Sequence, residues 1–291
     1  MRKVSCFAAV VLSLVGVRQP LAQSLPTSQP KYVQVIIEDV KVGHDDDHSK
    51  SEAGWGVAFE KAKYPYFNLG MVALTGSPQA WFMVPFESNQ AYGESMKRSA
   101  EDPVLAAELS RLSRADSAHI NSARTLLLAA RKDLSHGAFP DLGKQRFYQV
   151  TLFRVRPGHE SQFEAAAKAY GAAADRAAPD SAYRIYEVEE GMPGPVYMIM
   201  TSVAAFGDFD KRSSEGEQIM KSANKEEMDT LQKFSSEALI NAEQHRFRID
   251  PNMCYVPKEV RDQDPAFWNP KKPAVKATTP QQPQRESSRQ R

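Results

Sequence analysis

The densest run of potential metal ligands is His44-Asp45-Asp46-Asp47-His48. Two histidines four residues apart share one face of a helix, and carboxylates between them could complete a divalent-cation site. The same run suits the start of a helix, where acidic side chains meet the positive end of the dipole and cap free amides. A stretch 115 positions later, His159-Glu160-Ser161-Gln162, keeps one histidine and one acid but no second histidine. Capping is therefore the reading adopted and no metal is assigned. His44 and His48 stand as the candidate ligands should one bind, at the protein surface.

Polar residues inside β-rich segments are the next candidates. Gln34 and Glu38 interrupt YVQVIIEDV, and Gln149 and Thr151 interrupt FYQVTLFRV. A buried glutamine needs hydrogen-bond partners, and a buried Glu38 with a raised pKa could serve as a general base. Trp81-Phe82-Met83 and Val196-Tyr197-Met198 form matching aromatic and methionine stripes, which are core or the lining of a cavity. Gln34, Glu38, Trp81, Gln149, Thr151 and Tyr197 are thus the candidate ligand-cavity residues. Trp55-Gly56 and Tyr170-Gly171 are an aromatic pair on alanine-containing helices, expected to pack on a sheet. No phosphate loop, G-x-S-x-G, CxxC or H-E-x-x-H is present, so no catalytic residue is assigned. His136 falls in a linker, and His245 is expected to face solvent.

These residues need elements to place them, and the elements recur. Shifted by 115 positions, the chain aligns with itself without a gap: Gln34-Val35 on Gln149-Val150, Gly43-His44 on Gly158-His159, Ala58 and Ala62 on Ala173 and Ala177, Gly76 and Pro78 on Gly191 and Pro193. In the second copy, strands are predicted over 146–155, 181–190, 195–202 and 240–249, with helices over 159–177, near 203–211, and over 214–238. In the first, strands fall at 31–42, 67–75, 79–86 and near 124–134, with helices over 45–63 and 102–121. The order is β-α-β-β-α-β, the ferredoxin-like unit. Both faces of the strands are apolar, so the fold expected is α+β: two tandem ferredoxin-like repeats packed sheet to sheet as a pseudo-dimeric α/β barrel. Gln34 and Gln149 would then approach the pseudo-twofold axis and bond across the sheets or to a ligand. The boundaries predicted are a first repeat at 31–134, a linker at 135–145, a second repeat at 146–250 and a C-terminal arm at 251–269 pinned by Phe267 and Trp268.

Over 31–250 the chain resembles the dimeric α+β barrel superfamily, in particular NIPSNAP-like and antibiotic-biosynthesis-monooxygenase-like domains. The residues that carry the likeness are strand 147–155, Pro157-Gly158-His159-Glu160 with Phe163, the strand pair 182–190 and 195–202, and in the first half Val40 to His44 and Trp81 to Pro85. The resemblance implies a fold that hosts cofactor-free oxygenases, haem-handling enzymes, isomerases and proteins without assigned activity. Haem-degrading members use a helix histidine with an asparagine and a tryptophan nearby. His119 and Asn121, expected in a helix, and Trp55 are the only comparable residues, and no cofactor is required by the sequence.

The two ends differ from this core. Arg2 and Lys3, the apolar run Cys6 to Val17 and Pro20-Leu21-Ala22 have the layout of a signal peptide over 1–22. An exported protein, periplasmic or secreted, is expected, with no transmembrane span in the mature chain and Cys254 as its one cysteine. Residues 270–291 are rich in proline, glutamine and basic residues and are expected to be a disordered tail. The formal charge of +1 over 291 residues conceals this layout. With +3 assigned to the leader and +5 to the tail, residues 23–269 carry about −7. That balance gives no basic face for nucleic acid. The expected function is binding of a small apolar molecule in a barrel cavity. A cofactor-free or haem-linked monooxygenase or isomerase is one alternative, and a ligand-free structural module another. A monomer or weak homo-oligomer is expected.

Overall fold

A computed structural model describes residues 25–269. The leader expected at 1–22 and the tail expected at 270–291 lie outside the described residues. The chain runs β1 (Tyr32–Val40), α1 (Asp45–Ala62), β2 (Leu69–Ala73), β3 (Gln79–Phe86), α2 (Asn89–Glu101), α3 (Pro103–Asp116), β4 (Ile120–Ala130), β5 (Phe147–Val155), α4 (Glu160–Ala177), β6 (Arg184–Glu190), β7 (Val196–Val203), α5 (Asp208–Ser222), α6 (Lys225–Lys233) and β8 (Leu239–Ile249). Two short helices, α7 (Lys258–Gln263) and α8 (Pro265–Trp268), follow.

Eight antiparallel strands close a barrel in the order β1-β3-β2-β8-β5-β7-β6-β4. The first half contributes β4-β1-β3-β2 as neighbours, the second β8-β5-β7-β6. Two seams join them. At one, Met71, Val72 and Ala73 pair with Ile249, Arg248 and Phe247. At the other, β4 pairs with β6 across a bulge between Leu127 and Leu128.

Alternation along each strand gives the barrel its inside and outside. Val33, Val35 and Ile37 of β1 point inward with Leu126, Leu128, Val150, Met198, Phe247 and Ile249, in one apolar cluster drawn from both halves. Val35, Leu126, Leu128, Val150, Met198, Phe247 and Ile249 have no solvent exposure at all, so the barrel waist is solid. Space remains at the mouths, with a recess of about 240 Å³ at the Ile37 end and one of about 70 Å³ at the Val33 end. Side chains therefore fill the waist, and the cavity expected from the sequence is reduced to the recesses at the two ends.

Helices cover the outer face of each half. The helix expected over 102–121 is a shorter helix followed by a strand. Asp102 caps α3 by accepting from the amides of Val104 and Leu105, with Pro103 opening the helix, which forces a break from α2. Helix α3 stops at Asp116, and β4 begins at Ile120 because it pairs with β1 along its whole length. In the second half, Asn224 and Glu227 form a capping box that starts α6, so the long helix expected over 214–238 is divided. The gapless 115-residue alignment also slips. Leu69 pairs with Met83, but Arg184 pairs with Met200. The offset thus becomes two residues longer past the 191–195 turn, and a slip of two preserves which face each side chain takes.

The arm after β8 returns to the barrel mouth. The Trp268 indole donates to the Gly143 carbonyl at 3.2 Å, and the Arg146 guanidinium lies 3.8 Å from the Phe267 ring centre. Burial pushes the Cys254 thiol up to about 12, as suits an inert buried thiol. No helix among the described residues is long and apolar enough to cross a membrane.

Gly191, at the β4–β6 seam, holds φ +96°, and a Cβ there would lie 2.1 Å from the Thr125 carbonyl oxygen. Gly158 has a similar φ of +86°, but a Cβ there would meet nothing within 4 Å. Gly158→Ala should cost only the left-handed conformational penalty of about 1 to 2 kcal/mol. Gly191→Ala adds a backbone clash and should cost clearly more. Urea denaturation of the two variants in parallel checks this, and equal midpoints would contradict the packing described at the seam.

Candidate functional site

The first helix opens with His44, Asp45, Asp46 and Asp47 and gives no side-chain cap from His44. Its two histidines, one turn apart, go to different places. His44 Nδ1 lies 3.1 Å from His119 Nδ1, in the turn before β4. His48 turns inward and is only 1% exposed. Its Nε2 lies 2.8 Å from Glu38 Oε2 on β1 and 3.7 Å from Asp116 Oδ1 on α3. The two histidines weighed as candidate surface ligands thus do not come together.

Glu52, one turn beyond His48 on α1, completes a buried group. One ligand atom each from Glu38, His48, Glu52 and Asp116 lies within 4.8 Å of the others. The group is strained electrostatically. Burial, followed by the negative charges of Glu38 and Asp116, pushes the Glu52 carboxyl up to about 9. Burial and the Glu38 charge also raise Asp116, partly offset by His48. Asp116 Oδ1, Ser51 Oγ and Trp55 Nε1 make no hydrogen bond of normal geometry, although Ser51 lies near enough to Asp116, and Trp55 to Glu52, to offset part of each carboxyl's upward shift. Chemically, the group offers one imidazole nitrogen and three carboxylates, a mixed donor set for a divalent cation.

Sequence reasoning misses Glu52 and Asp116, although a signal for them exists. Leu105, Leu112 and Asp116 are all buried on α3, and Asp116 continues the leucine stripe at helical spacing. His48 and Glu52 likewise share the buried side of α1.

Between helices and sheet each half holds a chamber. The first, about 150 Å³, is lined by Gln34, Glu38, Glu52, Trp55, Phe59, Tyr64, Tyr66 and Met253 among others. Glu38 and Glu52 belong both to this chamber and to the acidic group. The second is larger, about 470 Å³, and is lined by Gln149, Thr151, Phe153, Phe163, Ala167, Tyr170, Tyr183, Arg212 and Phe234 among others. Residues 115 apart on the first strand and helix of each half show the contrast: Phe153 stands where Glu38 does, Phe163 where His48 does, and Ala167 where Glu52 does. Phe163 is in contact with Phe153 and Phe234, at centroid distances of 6.2 and 5.6 Å. An aromatic triad thus occupies the place of the acid–histidine group. Tyr183 Oη is buried in this second region without a hydrogen-bond partner.

Gln34, Glu38, Gln149 and Thr151 face these chambers on the outside of the barrel and not the pseudo-twofold axis. The alternation expected is present, but the inward face is the one carrying Val33, Val35 and Ile37. The Gln34 amide donates to Tyr92 Oη at 3.2 Å, and Thr151 Oγ1 accepts from Gln244 at 3.2 Å. Trp81 points into the barrel against Phe247, at 4.7 Å between centroids. Tyr197 points outward and stacks on Phe163 at 3.7 Å. His245 lines the barrel mouth near Trp81 and is only partly exposed. The His136 side chain is largely covered, with Nδ1 2.6 Å from the Ser181 carbonyl oxygen and its ring stacked on Tyr183. His119, Asn121 and Trp55 do not assemble as a haem site. His119 is in a turn against His44, Asn121 is an exposed residue of β4, and no histidine or cysteine among the described residues lines either chamber. The residues lining the two chambers do not offer haem a histidine or cysteine ligand.

No family model matches the chain, and no curated protein does. Among solved structures it is similar to a candidate monooxygenase from Fusobacterium nucleatum at 7% identity, over 75% of this chain and 91% of that one, with a TM-score of 0.51. It is also similar to an anthrone oxidase-like protein at 12% identity, over 76% and 92% of the two chains, with a TM-score of 0.47. A mutant chlorite dismutase from Candidatus Nitrospira defluvii aligns at 9% identity over 81% and 95%, with a TM-score of 0.46. At these identities the likeness is one of fold, an α+β arrangement around a closed barrel.

The raised Glu52 pKa has a direct consequence for stability. The folded chain holds the Glu52 proton to about pH 9, whereas the carboxyl ordinarily ionises near 4.5. Between those values the folded state binds more protons, so this group makes stability fall as pH rises. In chelator-treated protein, Glu52→Gln should therefore raise the urea midpoint at about pH 8 and much less at about pH 5. A gain of the same size at both pH values would contradict the buried, repelled carboxyl.

Proposed function

We propose that this protein binds a small, largely apolar molecule in the second-half chamber, between α4, α6 and the outer face of the sheet. The observation that carries this is the Tyr183 hydroxyl, buried beside the chamber with no protein partner. A buried polar group without a partner is costly, and a ligand acceptor or donor in the chamber would satisfy it. The chamber's volume of about 470 Å³ falls within the range of small-molecule sites, roughly 300 to 1,000 Å³. Its walls are mainly aromatic and aliphatic, with Arg212, Gln149, Gln244, Thr151, Thr201, Ser181 and Ser235 as the polar members. The site proposed lies under the helices, outside the barrel.

A second reading is an oxygenase or isomerase acting on such a molecule. It is favoured by the first-half chamber, whose wall carries the carboxylates of Glu38 and Glu52. The description of one solved neighbour as a candidate monooxygenase points the same way.

We also propose that the two halves, 31–134 and 146–250, are copies of one ferredoxin-like unit of the NIPSNAP-like kind. Their matching strand neighbours support this. Export with removal of residues 1–22 is part of the same proposal, on the sequence of the leader alone.

Two substitutions test the ligand site, with 1-anilinonaphthalene-8-sulfonate as the probe. Ala167→Trp fills the chamber and should abolish probe binding in a folded protein. Tyr183→Phe removes the unpartnered hydroxyl. It should raise the melting temperature of the free protein and, for a polar ligand found by native mass spectrometry of purified full chain, weaken binding about tenfold, the worth of one hydrogen bond. Undiminished probe fluorescence in Ala167→Trp would sink the site.

A further inference from the structure

We propose that Glu38, His48, Glu52 and Asp116 form a binding site for one divalent transition-metal ion, of the Mn²⁺, Fe²⁺ or Zn²⁺ class, at the inner end of the first-half chamber. The inference is independent of the ligand site in the second half.

The donor geometry comes first. Three elements, β1, α1 and α3, each deliver at least one ligand atom to a space in which all four lie within 4.8 Å of one another. His48 Nε2, already 2.8 Å from Glu38 Oε2, sits between that carboxylate and Asp116 Oδ1 at 3.7 Å. Metal bonds of about 2.0 to 2.2 Å to such ligands would draw these atoms around a common centre with small side-chain adjustments.

A second observation points to an occupant. The Asp116 side chain is only 4% exposed, its Oδ1 has no hydrogen-bond partner, and that atom is aimed at His48 within the group. A carboxylate oxygen buried to this degree, with a 3.7 Å imidazole contact and no hydrogen bond of normal geometry, is expensive to maintain. A cation supplies what it lacks.

The same chain contains the alternative. At the corresponding places, the second half uses Phe153 and Phe163, with Phe234 packed on them. The fold therefore does not require polar groups there, and replacing a buried charged group with well-packed apolar side chains is often neutral or stabilising. The presence of three acids and an imidazole in the first half is explained by ligation.

The imidazole fixes the class of ion. Calcium and magnesium favour all-oxygen sets, whereas one nitrogen with carboxylates suits manganese, iron or zinc. Because Glu38 and Glu52 also line the chamber, the ion would be reachable from the space enclosed by Trp55, Phe59 and Tyr66. A small molecule with an oxygen donor could complete its coordination there.

The test uses full-length chain stripped with chelator, then titrated by calorimetry with Mn²⁺, Co²⁺ and Zn²⁺, with Mg²⁺ and Ca²⁺ in parallel. One equivalent of each transition metal should bind, Co²⁺ with visible d–d absorption, and Mg²⁺ and Ca²⁺ should bind far more weakly. Glu38→Gln and Asp116→Asn should each weaken binding at least about a hundredfold. His48→Phe, which copies the second half, should abolish it while the far-ultraviolet circular dichroism stays that of the wild type. The double variant His44→Ala/His119→Ala removes the nearby surface pair and should bind normally. No stoichiometric binding to the wild type would overturn the proposal. So would binding lost in the His44/His119 variant but kept in Glu38→Gln and Asp116→Asn, or equal affinity for Ca²⁺ and Mn²⁺.

Discussion

Closure of the barrel leaves little strand surface free. The inner face meets the strands opposite, and the outer face meets a layer of helices, so along most strands residues of either parity become covered; the exceptions are 121–125 of β4 and 240–244 of β8, which are exposed. On the inner face the outcome is uniform. Val35, Val150, Met198 and Phe247 fill the waist from both halves, and little variation is tolerated there because a change in volume is felt across the whole ring. The outer face is less constrained. Each half packs its own helices, and what lies beneath them can differ without disturbing the seams.

That freedom is used. Beneath α4 and α6 lie Phe153, Phe163 and Phe234 in mutual contact. Beneath α1 and α3 lie Glu38, His48, Glu52 and Asp116. The strand neighbours are alike in the two halves, so the contrast lies mainly in side-chain chemistry. The aromatic version gains dispersion and area burial. The acidic version concentrates like charge away from water, at a cost visible in the raised Glu52 and Asp116 carboxyls.

Much of the architecture is legible in the sequence because periodicity is local. The alternation in YVQVIIEDV identifies the residues that share a face, and the expected helix start at residue 102 coincides with the Asp102-Pro103 cap. Which face turns inward is not legible, because it depends on how the sheet closes. Gln34 and Glu38 do share a face, but it is the outer one. The acidic group is half visible: His48 stands out, but its partners come from β1 and from the end of α3, which only the tertiary fold brings together. Turn insertions between strands, such as the two extra residues near 191–195, leave the faces intact and move the register.

The Trp55 and Tyr170 positions carry an optical consequence. Trp55 lines the first chamber, whereas the second is lined by Tyr170 and Tyr183 and no tryptophan. Trp81 and Trp268 are buried elsewhere, in the barrel and at the end of the C-terminal arm. Quenching or wavelength shifts of indole emission on adding a solute would therefore report chiefly on the acidic side of the molecule. Events in the aromatic chamber would pass almost unseen in that signal, so the two compartments can be followed separately in one unlabelled sample.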